Sequence, residues 1–281
     1  MDEIFWVCVL YNTLPADSLT LISLSKIFER NINSKHNVLI YDNSLLSVNE
    51  VNFFSPNVTV SFHHNPENPG LAVAYNCALQ QATELKKKWL VLLDQDSVLG
   101  PDFLIQLVKS FEVVKNDDSI VAIIPSVHDR QTLVSPSRLC CGVLNLSFRD
   151  HVNQKINGNI SAINSGSAIF VNFLNSISGF NEDFSLDILD HWLFYEIFLF
   201  KKSVFLNSAT IQHSLSVAQG PISSQRYKSI LLGEKKLFCD IKKKRSLYSL
   251  VLLLRMIKQL LKGQFAIAKM TILFLFNSHA N

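Results

Sequence analysis

Two aspartates separated by a single residue, Asp94 and Asp96, directly follow the apolar segment Trp89 to Leu93. Carboxylates so close together repel each other, and taking an unpaired charge out of water costs several kcal/mol. A divalent cation removes both penalties, and Mg²⁺ or Mn²⁺ combines hard oxygen ligands with water and substrate phosphates. The turn therefore predicts a site for a metal ion and a diphosphate. The structural alternative is a solvated turn or a helix cap, where aspartate is also common.

This turn ends one of four short apolar segments that have the composition of buried strands. The four segments occupy residues 4–10, 37–41, 58–62 and 89–93, and helical patterns occupy residues 17–30 and 71–88. Alternation of this kind predicts an α/β fold whose central sheet is mostly parallel and flanked by helices. Ligands of such sheets bind beyond the carboxyl ends of the strands. The polar residues expected at that edge are Asn12, Asp42, Asn68 to Gly70, and the acidic turn.

The second half of the chain has a less regular pattern. Residues 119–124, 168–171 and 204–211 have the composition of strands, whereas residues 126–162 favour loops or hairpins. The pattern does not determine how these segments join the sheet.

The last fifty residues form a basic region of helical periodicity. Four basic residues, Lys242 to Arg245, precede apolar residues at helical spacing, and Gly263 separates this helix from a second one at residues 265–276. We expect a catalytic domain at residues 1–230 and a C-terminal helical extension at residues 231–281. The basic amphipathic helix suits an anionic membrane surface, or else packing on the first domain or on a partner subunit.

Composition excludes several classes of protein. The 281 residues carry a net charge of only +3 and include no Arg-rich arm or zinc-ligand spacing, so we expect no nucleic-acid partner. The five cysteines form no CxxC pair, which favours free thiols in the cytoplasm. The acidic amino terminus does not resemble an export signal, and charged residues interrupt the longest hydrophobic region, so a spanning helix is not expected.

Seven ordered motifs carry a resemblance to a known family. They are VLYN (9–12), YDNS (41–44), NPENPGLAVAYNCAL (65–79), LLDQDS (92–97), NSGSAIF (164–170), GFNEDFSLDILDHW (179–192) and IQHSLS (211–216). In this order and spacing, the chain resembles the inverting glycosyltransferases of family 2, which share the GT-A fold, and among them the bacterial rhamnosyltransferase-like members. The resemblance extends from about residue 4 to about residue 230.

The resemblance implies where a nucleotide sugar would bind. Tyr11 and Asn12 would line the nucleotide pocket, Asp42 would receive the base, and the segment from Gly70 to Asn76 would lie beside the nucleoside, with Asn76 as its polar contact. The residue types agree, because glycine permits close backbone approach and a helix start offers free N–H groups. A plain Pro-Gly turn that begins a structural helix is the alternative.

The resemblance also assigns the metal ligands. Asp96 would bind Mg²⁺ or Mn²⁺ directly, Asp94 would contact the ribose or the metal, and His213 would supply a further ligand. The bound metal would neutralise charge on the leaving nucleoside diphosphate. A lone histidine after a strand is also commonly structural.

An inverting reaction needs a base that deprotonates the acceptor hydroxyl. By position Asp190 resembles the family's base, with Asp187 on the same face if the segment is helical. The alternative is ordinary acidic placement at a helix start. Family members commonly have an arginine a few residues later, but the next arginine here is Arg226, which either supplies the missing charge near the pyrophosphate or is a surface residue.

Together these features predict a metal-dependent, inverting transfer of a sugar from a nucleotide sugar to a hydroxyl of a saccharide acceptor. The rhamnosyltransferase-like members suggest dTDP-rhamnose as donor, a lipid-linked acceptor, and O-antigen or capsule synthesis at the cytoplasmic face of the inner membrane. The alternative is a non-catalytic nucleotide-sugar-binding or scaffold subunit of a polysaccharide assembly complex. A nucleotidyltransferase is disfavoured because residues 11–16 lack a Gly-rich phosphate-binding loop.

Overall fold

A computed structural model describes residues 2–46, 54–140, 144–146, 152–184, 186–213 and 223–277. Parts of three segments discussed above lie outside the described residues, namely 141–143 and 147–151 in the loop-rich region, residue 185 in the motif at 179–192, and 214–216 after His213. Within the described residues the chain is an α/β protein with a central, mostly parallel sheet flanked by helices. The predicted fold class is confirmed.

The strands of the first half agree closely with the apolar segments of the sequence, and those of the second half are shorter and more numerous. The strands are β1 (Ile4–Leu10), β2 (His36–Asp42), β3 (Val58–His64), β4 (Trp89–Asp94), β5 (Ser97–Leu99), β6 (Ile120–Asp129), β7 (Thr132–Ser135), β8 (Ser137–Cys140), β9 (Leu144–Leu146), β10 (Gln154–Ile156), β11 (Ile160–Ser161), β12 (Ala168–Phe170) and β13 (Ser203–His213).

The main sheet has the strand order β10-β13-β6-β12-β4-β1-β2-β3, with β5 added to β13 and β7 to β6. β1 is parallel to β2 and β4, β2 is parallel to β3, and β6 is parallel to β13. β12 is antiparallel to both of its neighbours, β4 and β6. The long strands β3, β2, β1, β4, β6 and β13 therefore all run in one direction, and their carboxyl ends lie along one edge.

The helices connect these strands and form the carboxyl-terminal region. They are α1 (Leu19–Glu29), α2 (Leu71–Glu84), α3 (Phe103–Val114), α4 (Val171–Ser176), α5 (Leu189–Leu199), α6 (Ser224–Lys235), α7 (Arg245–Leu261) and α8 (Phe265–Asn277).

Helix α1 illustrates how local sequence and packing agree. The Ser18 hydroxyl caps its first turn by accepting the Leu21 N–H at 3.3 Å. Leu21, Leu24 and Phe28 recur at helical spacing and are fully buried. The Phe28 ring meets Trp6 of β1 edge to face, with ring centroids 5.4 Å apart. The helix is thereby fixed on the face of the sheet beside the acidic turn.

A histidine is buried on the other side of the same phenylalanine. His36, the first residue of β2, is 1% exposed and stacks on Phe28 with ring centroids 3.9 Å apart. Neither ring nitrogen has a hydrogen-bond partner among the described residues. Burial, together with positive charge from the amino terminus and Lys87, lowers the pKa of His36 from 6.5 to about 4.

The low pKa of His36 predicts a loss of stability in mild acid. The unfolded chain protonates this histidine below about pH 6.5 and the folded chain only near pH 4, so the free energy of unfolding falls as the pH drops between these values. From about pH 7.5 to pH 5 the loss due to His36 is about 2 kcal/mol. Urea unfolding of the wild type and of His36→Leu at both pH values measures it. An identical pH dependence in the two proteins would contradict the prediction.

The chain divides into two compact units. The first contains residues 1–138 and 147–215, and the second contains residues 139–146 and 216–281. In the second unit α6 continues into a π-helical turn, Lys236–Ile241, before α7 and α8. Gly263, with a φ of 71°, separates the two predicted carboxyl-terminal helices, which are both present. In the described part of the chain no helix has the length and apolar character needed to cross a membrane.

Candidate active site

The carboxyl edge of the sheet brings the predicted site segments together. In the register of β1, Val9 pairs with Asp94 on one side and Leu10 pairs with Asp42 on the other. The residues that follow these three neighbouring strands therefore lie side by side, as the sequence pattern predicts.

Hydrogen bonds from other segments hold the acidic turn. The Gln95 side chain accepts the Tyr11 N–H at 2.7 Å and donates to the Tyr11 carbonyl at 3.2 Å. The Ser18 hydroxyl donates to the Gln95 carbonyl at 2.8 Å, and the Thr20 hydroxyl bonds to the Asp94 carbonyl. The two carboxylates therefore stand on a turn whose conformation is set by their neighbours. The role of Gln95 in holding this turn is not predicted from the sequence, where its place between two aspartates is the available signal.

The environment of Asp94 shows which charged groups share this site. The Tyr75 hydroxyl donates to Asp94 Oδ1 at 3.4 Å. Burial raises the pKa of Asp94 to about 6, the nearby His213 opposes this rise, and the carboxylates of Asp96 and Asp190 add to it. Asp96, Asp190 and His213 thus lie within electrostatic reach of Asp94.

His213 reaches the acidic turn through a strand pairing that the sequence pattern does not reveal. β5 pairs with the end of β13, and His213 lies opposite Ser97. The Nδ1 atom of His213 is 2.8 Å from the Ser97 hydroxyl and 3.4 Å from Asp96 Oδ1. The same Ser97 hydroxyl also bonds to the Ser165 hydroxyl at 2.8 Å. These contacts at Nδ1 place the His213 ring beside the acidic turn.

The donor atoms at the turn fit a hard divalent cation that is only partly bound by protein. Asp94 and Asp96 offer carboxylate oxygens, and His213 adds a nitrogen. In the described ranges, no three His, Cys, Asp or Glu side chains converge enough to enclose a metal by themselves. Mg²⁺ and Mn²⁺ suit such a site because they complete their coordination with water and phosphate oxygens.

The next strand end along the sheet holds a buried carboxylate. Asp42 is 2% exposed, and its Oδ1 accepts both the N–H and the hydroxyl of Ser44, at 2.9 and 2.5 Å. The Ser44 hydroxyl in turn accepts the Asn12 N–H at 2.8 Å. The Tyr11 ring is 51% exposed at the same edge. Asp42 therefore orders the loop after β1, next to an aromatic ring open to solvent.

Helix α2 begins beside this loop, and its polar residue Asn76 bonds to the segment before α5. Gly70 precedes it with a φ of 99°, a conformation that favours glycine. The Asn76 amide donates to the Phe180 carbonyl at 2.9 Å and to Glu182 Oε1 at 3.0 Å, and it accepts the Phe180 N–H at 2.7 Å. A side chain at Gly179 would start 2.6 Å from the Asn76 oxygen. Asn76 thus ties α2 to the segment before α5, and its nucleoside contact stays a prediction.

Asp190 is the second residue of α5, and its Oδ1 accepts the His191 N–H at 2.7 Å. Ile188, with a φ of 75°, turns the chain into the helix. Asp187 is half-buried and precedes this turn. Because the helix begins only at Leu189, Asp187 lies before it, and the condition for a shared helical face with Asp190 is not met.

His191 and Trp192, which follow Asp190, have structural contacts. Trp192 is buried and stacks on Phe184 with ring centroids 6.3 Å apart, and His191 Nδ1 bonds to the Ser161 hydroxyl at 2.7 Å. Arg226 lies in the first turn of α6, in the second unit. Its contact with the pyrophosphate stays a prediction.

The fold is similar to that of several solved structures. S. aureus TarS has a TM-score of 0.52 and 12% identity over 84% of this chain, which spans 40% of the length of TarS. The TarS 1-349 complex with UDP-GlcNAc has a TM-score of 0.50 and 12% identity over 83% of this chain and 66% of that one. The mannosyltransferase PcManGT from Pyrobaculum calidifontis, in complex with GDP-Man and Mn²⁺, has a TM-score of 0.54 and 15% identity over 99% of this chain and 86% of that one. No curated protein sequence matches the chain.

The amino-acid sequence itself matches a family model. The match to Glycosyl transferase family 2 covers residues 20–184, which include helix α2, the acidic turn and the Asn76 contacts before α5. These residues make up more than half of the chain. The chain therefore belongs to glycosyl transferase family 2 and has the GT-A fold.

Proposed function

We propose that the protein catalyses metal-dependent, inverting transfer of a sugar from a nucleotide sugar to a hydroxyl group of a saccharide acceptor. The observation that carries this proposal is the electrostatic effect of Asp96, Asp190 and His213 on Asp94 at the carboxyl edge of the sheet, together with the 3.4 Å contact between His213 Nδ1 and Asp96 Oδ1. Asp94, Asp96 and His213 suit a cation and a diphosphate. Asp190 suits the role of a general base.

The donor nucleotide would bind along the loops after β1, β2 and β4. The exposed Tyr11 ring and Asn12 would line the nucleotide pocket, Asp42 would receive the base, and Gly70 would let the backbone approach closely. The acidic turn with His213 would hold Mg²⁺ or Mn²⁺, which supplies charge neutralisation to the leaving diphosphate. The Gln95 side chain holds the acidic turn against the Tyr11 backbone. The proposed nucleotide pocket and the proposed diphosphate site are therefore linked through these two hydrogen bonds.

The acceptor would bind on the side of α5. Asp190 would remove the proton from the acceptor hydroxyl as the new glycosidic bond forms, on the sugar face opposite the leaving diphosphate. Asp187 lies next to it and would orient the acceptor. Arg226 would add positive charge near the diphosphate.

The finer assignment concerns the sugar, the acceptor and the location. The ordered motifs support rhamnose from dTDP-rhamnose, and the basic carboxyl-terminal helices support a lipid-linked acceptor at the cytoplasmic face of the inner membrane. The product would be a bacterial surface polysaccharide, O-antigen or capsule. In this arrangement residues 1–230 perform catalysis and residues 231–281 associate with the membrane.

Donor binding can be tested by thermal unfolding with a panel of nucleotide sugars. A ligand that binds only the folded protein, at about ten times its Kd, adds about 1.4 kcal/mol of stability and raises Tm by about 3 to 5 °C. We expect this rise for the true donor with Mn²⁺ and a smaller one with EDTA. Slow Mn²⁺-dependent hydrolysis of that donor should accompany binding, whereas stabilisation without any hydrolysis or transfer would instead indicate a non-catalytic binding subunit.

A further inference from the structure

Helix α7 directs its most apolar face to solvent. Six large apolar side chains on it are between 42% and 84% exposed, namely Leu250, Leu253, Leu254, Ile257, Leu260 and Leu261. They are three and four residues apart, so they form one continuous stripe along the helix. We call this stripe the outer face of α7. Exposed apolar residues scattered singly are normal, but a contiguous stripe of this size indicates a binding surface.

The opposite side of α7 is buried and carries polar residues beside one buried leucine, Leu252. Tyr248 and Gln259 are 2% and 7% exposed, whereas the leucines of the outer face lie in solvent. Gln259 donates to the Tyr227 hydroxyl at 2.9 Å and accepts the Thr271 hydroxyl at 2.8 Å. Hydrogen bonds between side chains of α6, α7 and α8 therefore cross the interior of this helical unit, beside buried apolar residues such as Leu231 and Leu252.

An ion pair extends the same interior network. Arg255 donates two hydrogen bonds to Glu234, both at 2.8 Å, and the Tyr248 hydroxyl donates to the same carboxylate at 3.1 Å. A helix that packs in water normally buries its apolar stripe and exposes its polar residues. In α7 the larger apolar side faces solvent and polar residues accompany Leu252 on the buried side, which is the arrangement expected when an apolar medium covers the outer face.

The positive charge of this region indicates which apolar medium covers the outer face of α7. Residues 224–277 contain twelve Lys and Arg against two Asp and Glu, whereas the rest of the chain contains fourteen against twenty-one. Lys243, Lys244 and Arg245 are exposed at the start of α7, and Lys258 and Lys262 are exposed near its end. A second copy of this unit would bring like charges together. An anionic lipid surface satisfies both the charges and the leucines, because basic side chains bind headgroups while their stems lie along the apolar region.

We infer that the outer face of α7 inserts in the plane of an anionic bilayer, with the basic residues at its two ends bound to lipid headgroups. This inference specifies which face of the carboxyl-terminal helices carries the proposed membrane association. It rests on the proposed function only for the identity of the lipid-linked acceptor. α7 has 17 residues and a length of about 25 Å, and no described helix is suited to cross a bilayer, so the insertion is shallow. Phe265, Leu273 and Phe276 of α8, which are 69%, 52% and 68% exposed, provide further apolar contacts.

Co-sedimentation of the full-length protein with vesicles tests this inference. We expect binding to phosphatidylcholine vesicles that contain about 30% phosphatidylglycerol, and much weaker binding to phosphatidylcholine alone. Leu254→Gln combined with Ile257→Gln should weaken binding about tenfold or more, because two apolar side chains no longer leave water. The matched control is Ile105→Gln combined with Val113→Gln, which removes two exposed apolar residues from α3 and should leave binding unchanged.

A charge variant tests the second part of the inference. Lys243→Gln, Lys244→Gln and Arg245→Gln together should remove most of the preference for anionic vesicles. Equal binding of the wild type and the Leu254/Ile257 variant would overturn the inference, as would a wild type that stays in the supernatant. A change in oligomeric state in that variant, with no vesicle binding by the wild type, would assign the face to a second copy instead. Donor hydrolysis with Mn²⁺ is measured on the same samples, so a failure of the proposed function is distinguished from a failure of this inference.

Discussion

Replacement of Asp96 by alanine should reduce Mn²⁺-stimulated sugar transfer by about 100-fold or more, because a metal ion contributes a few kcal/mol of charge stabilisation as the diphosphate leaves. The fold should survive this change. The Asp96 side chain is 39% exposed and contacts His213 Nδ1 at 3.4 Å. The turn itself is held by Gln95, Ser18 and Thr20.

Initial rates over a Mn²⁺ titration, with a fixed donor and acceptor, measure the effect of Asp96→Ala. Asp118→Ala is the matched control, because Asp118 is an exposed carboxylate that precedes β6 at the opposite edge of the sheet. The variant should also lose the additional thermal stability that Mn²⁺ confers on the donor complex. Wild-type metal stimulation in Asp96→Ala would remove Asp96 from the metal site.

The first half of the fold could be predicted from the sequence because its strands are continuous apolar runs. Residues 4–10 and 89–93 are buried on both faces of a parallel sheet, so each pattern has one interpretation. The position of the acidic turn then follows, since a parallel sheet aligns all carboxyl ends on one edge. Asp42 and Asp94 are neighbours for this reason.

Contacts between distant segments could not be predicted in the same way. His213 approaches Asp96 because β5, a strand of three residues, pairs with the end of β13. The amide of Asn76 bonds to residues more than one hundred positions away. Neither contact leaves a periodic signal, because each depends on side chains that meet only in the folded chain.

The carboxyl-terminal helices show a different limit. Helical periodicity identified the apolar stripe of α7 and its flanking basic residues, but periodicity does not determine which side faces the protein interior. The direction is set by the buried hydrogen bonds of Gln259 and the Glu234–Arg255 ion pair, whose partners lie on other helices. Only the folded unit shows that the apolar stripe faces outward.

Replacement of Asp190 by asparagine should lower kcat by about 10²- to 10⁴-fold, the usual contribution of a general base. Asparagine keeps the side-chain oxygen that accepts the His191 N–H at 2.7 Å, so the first turn of α5 should remain intact. Glu196→Gln is the matched control, because it removes a carboxylate from the same helix at a position farther from its start.

The distribution of the Asp190→Asn effect between kcat and donor affinity decides the role of this residue. A base interacts with the acceptor proton mainly in the transition state, so its loss should leave the donor KM and the donor-induced rise in Tm unchanged. Weaker donor binding with an unchanged kcat would instead assign Asp190 to the donor site. Undiminished kcat and donor binding together would show that another group deprotonates the acceptor. The charge of Asp190 acts on Asp94, so its removal can also change the metal site. Donor binding is therefore measured at several Mn²⁺ concentrations together with the rates. A changed Mn²⁺ dependence then distinguishes an effect on the metal site from the loss of a base.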